Sequence, residues 1–134
     1  MALNENRDEC PFCDRIGDGD FIAESDVAVA FADKFPVSRG HALVVPRHHA
    51  ASLFEISQAE IEDVWGLVSH VRSILQGDLA PDGFNIGLND GEAAGQTVGH
   101  AHVHVIPRYK GDVPDPRGGV RWVFPDKAAY WLNK

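Results

Sequence analysis

The stretch Gly99-His-Ala-His-Val-His-Val-Ile-Pro107 carries a histidine at every second position, at His100, His102 and His104. The residues between them are small or β-branched, and Pro107 closes the segment. Because successive side chains of a strand point to opposite faces, this alternation predicts a β-strand with three imidazoles on one face. Neighbouring rings would lie about 6.6–6.8 Å apart, close enough to act on one substrate or to share a metal ion.

Three interpretations of this histidine strand are physically reasonable. Two or three neutral imidazoles could bind a zinc ion. Alternatively, one imidazole could attack phosphorus and form a covalent intermediate while its neighbour donates a proton to the leaving group. The third interpretation is a set of hydrogen-bonded histidines on a half-exposed sheet face, and the strict alternation of three rings makes it the least favoured.

Composition indicates one globular domain over residues 1–134. Of the 134 residues, 44% are hydrophobic and 24% are charged, as in ordinary proteins with a single core. No apolar run reaches the length of a membrane span and the N-terminal segment is too polar for a signal peptide, so we expect a cytoplasmic protein with no membrane partner. The net charge of −8 argues against nucleic acid as the main partner, because binding the phosphate backbone requires a basic surface.

The remaining patterns predict strands around one long helix. Ser57-Gln-Ala-Glu60 matches a capping box, apolar residues then repeat at helical spacing, and Gly77 suits the end of the helix. Strands are predicted at residues 21–23, 27–31, 41–45 and 84–88, in addition to the histidine segment. This order predicts the α+β class with a mostly antiparallel sheet.

Both ends of the chain differ from this regular part. We expect residues 1–9 to be disordered. Residues 108–134 form a loop-rich tail with a short strand predicted at 120–124. Its large aromatic residues are too apolar to remain loose in water, so we expect them to pack on the domain or on a partner subunit; they are Trp122, Phe124, Tyr130 and Trp131.

The histidine segment resembles the signature of a known family. His100-Ala-His102-Val-His104-Val-Ile matches the His-x-His-x-His-x-x signature of the histidine triad (HIT) proteins, in which x is hydrophobic. The resemblance spans residues 10–107, since residues 40–46 look like the family's Gly-His strand and residues 89–98 like its substrate loop. It implies a HIT-like fold with a short N-terminal helix or turn, and a homodimer whose sheet continues across the subunits.

The resemblance also implies hydrolysis or transfer at the α-phosphate of nucleotides, with dinucleoside polyphosphates or nucleoside phosphoramidates as candidate substrates. His102 would be the nucleophile that becomes nucleotidylated, and its other ring nitrogen would be held by the carbonyl of His100. His104 would contact the phosphate or the leaving-group oxygen, and His41 would support the triad from beside it. A non-catalytic nucleotide-binding module and a zinc-dependent hydrolase remain alternative functions.

The nucleotide would be held mainly by uncharged groups. By resemblance, Asp33 would bind the ribose hydroxyls, and the phosphate or leaving group would contact Asn89, Gln96 and Thr97. Independently, the glycines of this loop can bring backbone N–H groups close to a phosphate; they are Gly91, Gly95 and Gly99. No carboxylate cluster near the motif could hold magnesium, so we expect no cofactor to be required for the chemistry.

The two cysteines stand in the order Cys10-Pro-Phe-Cys13. This spacing is typical of half a zinc site or of a redox pair. By resemblance, some relatives bind a structural zinc with two such cysteines, a histidine at the position of His49, and the first triad histidine, here His100. A closed set of four ligands leaves no position for a substrate, so this zinc would be structural. Two free or redox-active thiols are the alternative.

Overall fold

The structure is a computed structural model and describes residues 7–132, apart from the side chain of Arg7. Five strands form one sheet in the order β1-β2-β3-β5-β4. Their bounds are β1 Ala23–Glu24, β2 Ala28–Ala32, β3 Ala42–Pro46, β4 Gly83–Gly87 and β5 Val103–Arg108. Every strand pair is antiparallel. The predicted α+β class, with a mostly antiparallel sheet and one long helix, is therefore confirmed.

The long helix, α2 (Gln58–Leu79), begins where the capping box predicts. The hydroxyl of Ser57 accepts a hydrogen bond from the N–H of Glu60, and the Glu60 carboxylate accepts one from the N–H of Ser57. The helix ends two residues beyond the predicted Gly77, because Leu79 still packs against the core and Ala80 adopts the left-handed cap conformation at φ 48°.

The two faces of the sheet are covered by different elements. Helix α2 packs on the face formed by residues such as Val44, Val103 and Val105. On the opposite face, Phe31 and Leu43 pack against the short helix α1 (Pro11–Asp18). Leu43 is paired with His104 across the ladder, so the histidine side of β5 lies next to the face that α1 covers.

The histidine strand is shorter than predicted. Strand β5 begins at Val103, so of the three alternating histidines His104 alone lies in it. Residues just before β5 find their hydrogen-bond partners outside the sheet: the N–H of Ala101 donates to the carbonyl of Ala50, 2.8 Å away. The prediction that all three rings share one strand face is therefore wrong, because the chain leaves the ladder ahead of Val103.

The termini also correct the sequence-based expectations. Of the nine N-terminal residues expected to be disordered, 1–6 lie outside the described part, while Arg7–Glu9 form a 3-10 helix. The predicted strand at 120–124 is wrong. The segment Gly119–Val123 is a 3-10 helix, because Gly118 and Gly119 both have positive φ and turn the chain away from a strand course.

The aromatic residues of the tail pack only in part. Trp122 donates its indole N–H to the carbonyl of Arg117, and Trp131 stacks on the Arg117 guanidinium. Phe124 and Tyr130 remain 71% and 60% exposed on the single chain. Within residues 7–132, no helix combines the length and apolar character needed to cross a bilayer.

Candidate functional site

Three histidine rings lie side by side at the centre of the sheet face. The rings of His102 and His104 have centroids 5.1 Å apart, and those of His104 and His41 are 5.2 Å apart. His104 is held by β5, His41 precedes β3, and the pairing of Leu43 with His104 brings the two strands together. The structure thus brings His41, His102 and His104 into one row, as the sequence predicted for the last two.

His102 is fixed in one tautomer by the main chain. Its Nδ1 lies 2.8 Å from the carbonyl oxygen of His100, and a carbonyl can only accept, so Nδ1 carries the hydrogen and Nε2 keeps its lone pair. His102 is 7% exposed, and the Phe12 ring packs edge-on against its ring with centroids 4.9 Å apart. Burial lowers the pKa of His102 below its ordinary value, which favours the neutral, nucleophilic form.

A chain of hydrogen bonds fixes the tautomers of His41 and His104. The N–H of Val37 donates to Nδ1 of His41 at 3.1 Å, so the hydrogen of neutral His41 lies on Nε2. That Nε2–H donates to Nδ1 of His104, 2.9 Å away. Nδ1 of His104 is therefore an acceptor, and its hydrogen lies on Nε2. His104 can consequently offer an N–H to a substrate next to the lone pair of His102.

Burial and neighbouring rings keep His104 uncharged. Burial, followed by repulsion from the imidazoles of His102 and His41, lowers the pKa of His104 to about 4. Burial also lowers the pKa of His41, and the carboxylate of Asp33 partly offsets that effect. The row of rings is therefore neutral near pH 7.

Asp33 lies beside His41, but the hydrogen bonds of Asp33, His41 and His104 do not favour a metal ion between them. Its Oδ2 is 3.4 Å from Nε2 of His41, and donor atoms of Asp33, His41 and His104 come within 4.8 Å of one another. A metal on Nε2 of His41 would require the hydrogen on Nδ1, where the N–H of Val37 already points. The geometry therefore favours hydrogen bonds over a metal ion. The other carboxylate oxygen of Asp33 accepts from the N–H of Phe35 at 2.8 Å.

A cleft of about 920 Å³ opens in front of His41 and His104. Ile106 forms part of its floor, and the tail contributes a wall that includes Val120 and Trp122. Asn89, predicted to bind the nucleotide, also lines it. The sequence indicated only that the tail aromatics pack somewhere, so this wall was not foreseen, and neither Phe12 nor Val37 stands out in the sequence pattern.

The side chain of Gln96 forms the hydrogen bonds that hold the glycine-rich loop of residues 89–99 in place. This buried side chain accepts a hydrogen bond from the N–H of Gly91 at 2.8 Å and donates to the carbonyls of Ala51 and Val98 at 2.8 and 2.9 Å. The N–H of Gly95 donates to the carbonyl of Glu92. These groups are therefore engaged within the protein, while Thr97 is exposed. The nucleotide contacts expected of Gly95, Gln96 and Thr97 remain predictions.

His100 lies apart from the other triad rings, in a cluster with Cys10, Cys13 and His49. Its Nδ1 is 3.4 Å from Sγ of Cys10 and 3.6 Å from Sγ of Cys13, and Nδ1 of His49 is 3.3 Å from Sγ of Cys13. All four ligand atoms lie within 4.8 Å of one another. A tetrahedral zinc with ordinary bond lengths would place sulfur and nitrogen ligands about 3.6 Å apart.

Hydrogen bonding prepares His100 for a metal. Its Nε2 lies 2.7 Å from the carbonyl oxygen of Pro46 and must donate to it, which leaves the Nδ1 lone pair aimed at the two sulfurs. Cys10 occupies the N-cap of α1, where its sulfur accepts the N–H of Cys13 at 3.3 Å. The spacing, the donor set and the tautomer all fit zinc.

Comparison with known proteins agrees with this geometry. The family model described as HIT domain matches residues 17–111, which include His41, His49 and the three triad histidines but not the two cysteines. The chain is 39% identical over 103 residues to the adenosine 5'-monophosphoramidase of Schizosaccharomyces pombe, covering 74% of each chain. It is 37% identical over 86 residues to the asymmetrical bis(5'-nucleosyl)-tetraphosphatase of the same organism, covering 64% of this chain and 47% of that protein.

A solved structure extends the likeness over almost the whole chain. It is that of a zinc-bound histidine triad family protein from Mycobacterium smegmatis. The two share 29% sequence identity with a TM-score of 0.72, over 96% of this chain and all of the other.

Proposed function

This chain belongs to the HIT domain family, and we propose that it is a nucleotide hydrolase or transferase that uses His102 as a covalent nucleophile. The substrate is a nucleoside phosphoramidate or a dinucleoside polyphosphate, attacked at the α-phosphate. The observation that carries the proposal is the pair of fixed tautomers: a lone pair on Nε2 of His102 beside a hydrogen on Nε2 of His104. Relatives named for phosphoramidase and tetraphosphatase activities support the two substrate classes.

The reaction proceeds in two steps. Nε2 of His102 attacks the α-phosphorus, the bond from phosphorus to the leaving nitrogen or oxygen breaks, and that atom accepts a hydrogen bond from the Nε2–H of His104 while it takes its proton from water. Water then attacks the phosphorus of the nucleotidyl-histidine and gives its proton to solvent, the bond from phosphorus to Nε2 of His102 breaks, and the nucleoside monophosphate is released. The hydrogen bond to the carbonyl of His100 stabilises the charge that develops on His102 in the first step.

The phosphate is held at residues 97–99, directly ahead of the histidines. The N–H groups of Gly91 and Gly95 are engaged inside the loop, so the backbone after Gln96 supplies the donors. Asp33 accepts hydrogen bonds from the ribose hydroxyls, because its partly exposed carboxylate lies beside His41. The leaving group extends from His104 into the cleft, towards Asn89 and the tail.

A structural zinc binds Cys10, Cys13, His49 and His100 in this proposal. When bound, it fixes α1 to the segment ahead of the histidine strand, and its closed coordination leaves no Lewis-acid position. The separations of 3.3–3.6 Å between sulfur and nitrogen atoms support it. Metal analysis of protein purified without chelator tests the site, and a zinc content near zero would remove it.

The active form is a homodimer in which two copies of β4 pair. This strand lies at the end of the sheet, with β5 as its neighbour among the described strands. Ile86 on it is 39% exposed, and Val120 of the tail, which lines the same cleft, is 80% exposed. An uncovered strand edge next to apolar side chains is a surface that a second copy can complete. Light scattering decides between one copy and two.

Chemical trapping of the intermediate tests the proposed reaction. Adenosine phosphoramidate labelled at its phosphorus is incubated with the protein and quenched in alkali, where phosphohistidine survives. Label on His102 is expected, and it should disappear in His102→Ala but persist in His70→Ala, which changes an exposed histidine of α2. Full hydrolysis by His102→Ala without label would contradict the covalent mechanism, and binding without turnover would indicate a non-catalytic module.

A further inference from the structure

Helix α1 connects the two cysteines directly to the ring of the nucleophile. His100 places its side chain against the sulfurs and its carbonyl against His102. Phe12 stands between the cysteines in sequence and packs its edge on His102. We propose that Cys10 and Cys13 are a peroxide-sensitive thiol pair, whose oxidation to a disulfide expels zinc and releases His102 from its catalytic tautomer. The consequence for catalysis rests on the proposed function, whereas the oxidation and the change at the His102 ring do not.

The positions of the two sulfurs suit oxidation. Both belong to the first turn of α1, their ligand atoms lie within 4.8 Å, and they are not joined in the structure. Sγ of Cys10 accepts a hydrogen bond from the N–H of Cys13, 3.3 Å away, so the first turn of α1 holds the two cysteines close together. Cys13 is half-buried whereas Cys10 is 3% exposed, so peroxide reaches Cys13 first.

The chemical steps balance with hydrogen peroxide as the oxidant. The Cys13 thiolate attacks one peroxide oxygen, the O–O bond breaks, and the departing hydroxide takes a proton to form water, leaving a sulfenic acid. The Cys10 thiolate then attacks the Cys13 sulfur, and a second hydroxide leaves and takes a proton. Two thiolates have lost two electrons to peroxide, and zinc departs as Zn²⁺ because a disulfide is no longer an anionic ligand pair.

Oxidation of the cysteines affects His102 because His100 contacts both groups, the cysteine sulfurs through its ring and the His102 ring through its carbonyl. Without the metal, Nδ1 of His100 loses its ligand role, and the orientation of the His100 peptide rests on the bond from its Nε2 to Pro46 and on the neighbouring Ala101. Drawing the sulfurs into a covalent bond also changes the turn of α1 that carries Phe12. Both contacts that orient the His102 ring are therefore disturbed together.

The experiment uses the full chain loaded with zinc and treated with hydrogen peroxide. Three quantities are followed: zinc released to a colorimetric chelator, the disulfide in the peptide containing residues 10–13 by mass spectrometry, and the tautomer of His102 by nitrogen NMR of its imidazole. We expect zinc release and disulfide formation in step, followed by loss of the single Nδ1–H tautomer. Labelling of His102 by substrate should slow at least about tenfold, and dithiothreitol with zinc should restore it.

A matched variant separates oxidation of the pair from general damage. Cys13→His keeps four zinc-binding side chains but cannot form the disulfide, so its zinc and the His102 tautomer should withstand the same peroxide treatment. If that variant fails to bind zinc, iodoacetamide labelling of the native chain during peroxide treatment replaces it. The inference then requires that both Cys10 and Cys13 lose their reactivity towards iodoacetamide as zinc is released. Two results would overturn the inference: thiols and zinc that survive peroxide, or a disulfide that leaves the His102 tautomer unchanged. Absence of labelling before oxidation would instead count against the proposed function.

Discussion

Replacing His104 with glutamine should remove part of the acid sensitivity of the fold. In the folded chain the pKa of His104 is lowered to about 4 by burial and by the rings of His102 and His41, while an unfolded histidine titrates near 6.5. Between these two values the unfolded chain takes up a proton that the folded chain refuses. Stability therefore falls as the pH drops from about 7 to about 4, and this contribution is fully present only above the unfolded pKa.

The size of the effect follows from the difference between the two pKa values. Each unit corresponds to about 1.36 kcal/mol, so a shift from 6.5 to about 4 corresponds to at most about 3.4 kcal/mol. Because His104 is partly exposed in the cleft, solvent screens the shift, and we expect about 2–3 kcal/mol. Glutamine carries no titrating proton, so His104→Gln should lose that much less stability over this pH range than the wild type.

Urea unfolding followed by tryptophan fluorescence at a series of pH values between 7.5 and 4.5 measures this difference. His70→Gln, at an exposed position on α2, is the matched control and should keep the wild-type pH dependence. If the free energy of unfolding of His104→Gln falls with pH as steeply as that of the wild type, burial does not hold His104 neutral. The tautomer argument for its N–H would then lose its electrostatic basis.

Three further predictions follow from single contacts. Gly40→Ala should lower the free energy of unfolding, measured by urea titration, by about 2–5 kcal/mol, because φ at Gly40 is +90° and an added Cβ would meet Cδ1 of Leu79. Gly77→Ala is the control: an added Cβ there has open space in α2, so this variant should raise the free energy of unfolding by about 0.5–1 kcal/mol. Gln96→Ala should cost about 1–3 kcal/mol and reduce kcat/KM, since it leaves buried backbone groups unpaired. The single-turnover rate of His102 labelling should fall on acidification with a midpoint below the ordinary histidine value of about 6.5, because burial lowers the pKa of His102; a midpoint above pH 7 would contradict this.

Local patterns in the sequence predicted the elements that depend on neighbouring residues alone. The capping box at Ser57 gave the correct start of α2, because its two hydrogen bonds join residues three apart. The alternation of His104 with Val103 and Val105 gave the two faces of β5, since the valines are buried against α2. Four further strands lie within one or two residues of their predicted positions.

The failures occur where partners distant in sequence decide the conformation. No pattern near His100 in the sequence indicates that His100 and Ala101, just before β5, form hydrogen bonds to the carbonyls of Pro46 and Ala50 instead of continuing the β5 ladder. The apolar run at 120–124 has the composition of a strand, but Gly118 and Gly119 turn it into a 3-10 helix. The cluster of Cys13 with His49 and His100 joins residues 36 and 87 positions apart, so a family resemblance suggested it and periodicity could not.

The geometry of His102, the proposed nucleophile, therefore depends less on the sheet than the histidine alternation suggests. The ring of His102 is oriented by the carbonyl of His100, and that carbonyl is outside the β5 ladder. Two hydrogen bonds to residues at and just after the end of β3 help to hold it there, from His100 to Pro46 and from Ala101 to Ala50. The same segment supplies His49 to the thiol cluster. Changes at residues 46–50 should consequently alter both zinc affinity and the His102 tautomer, because these residues hold His100 and supply His49.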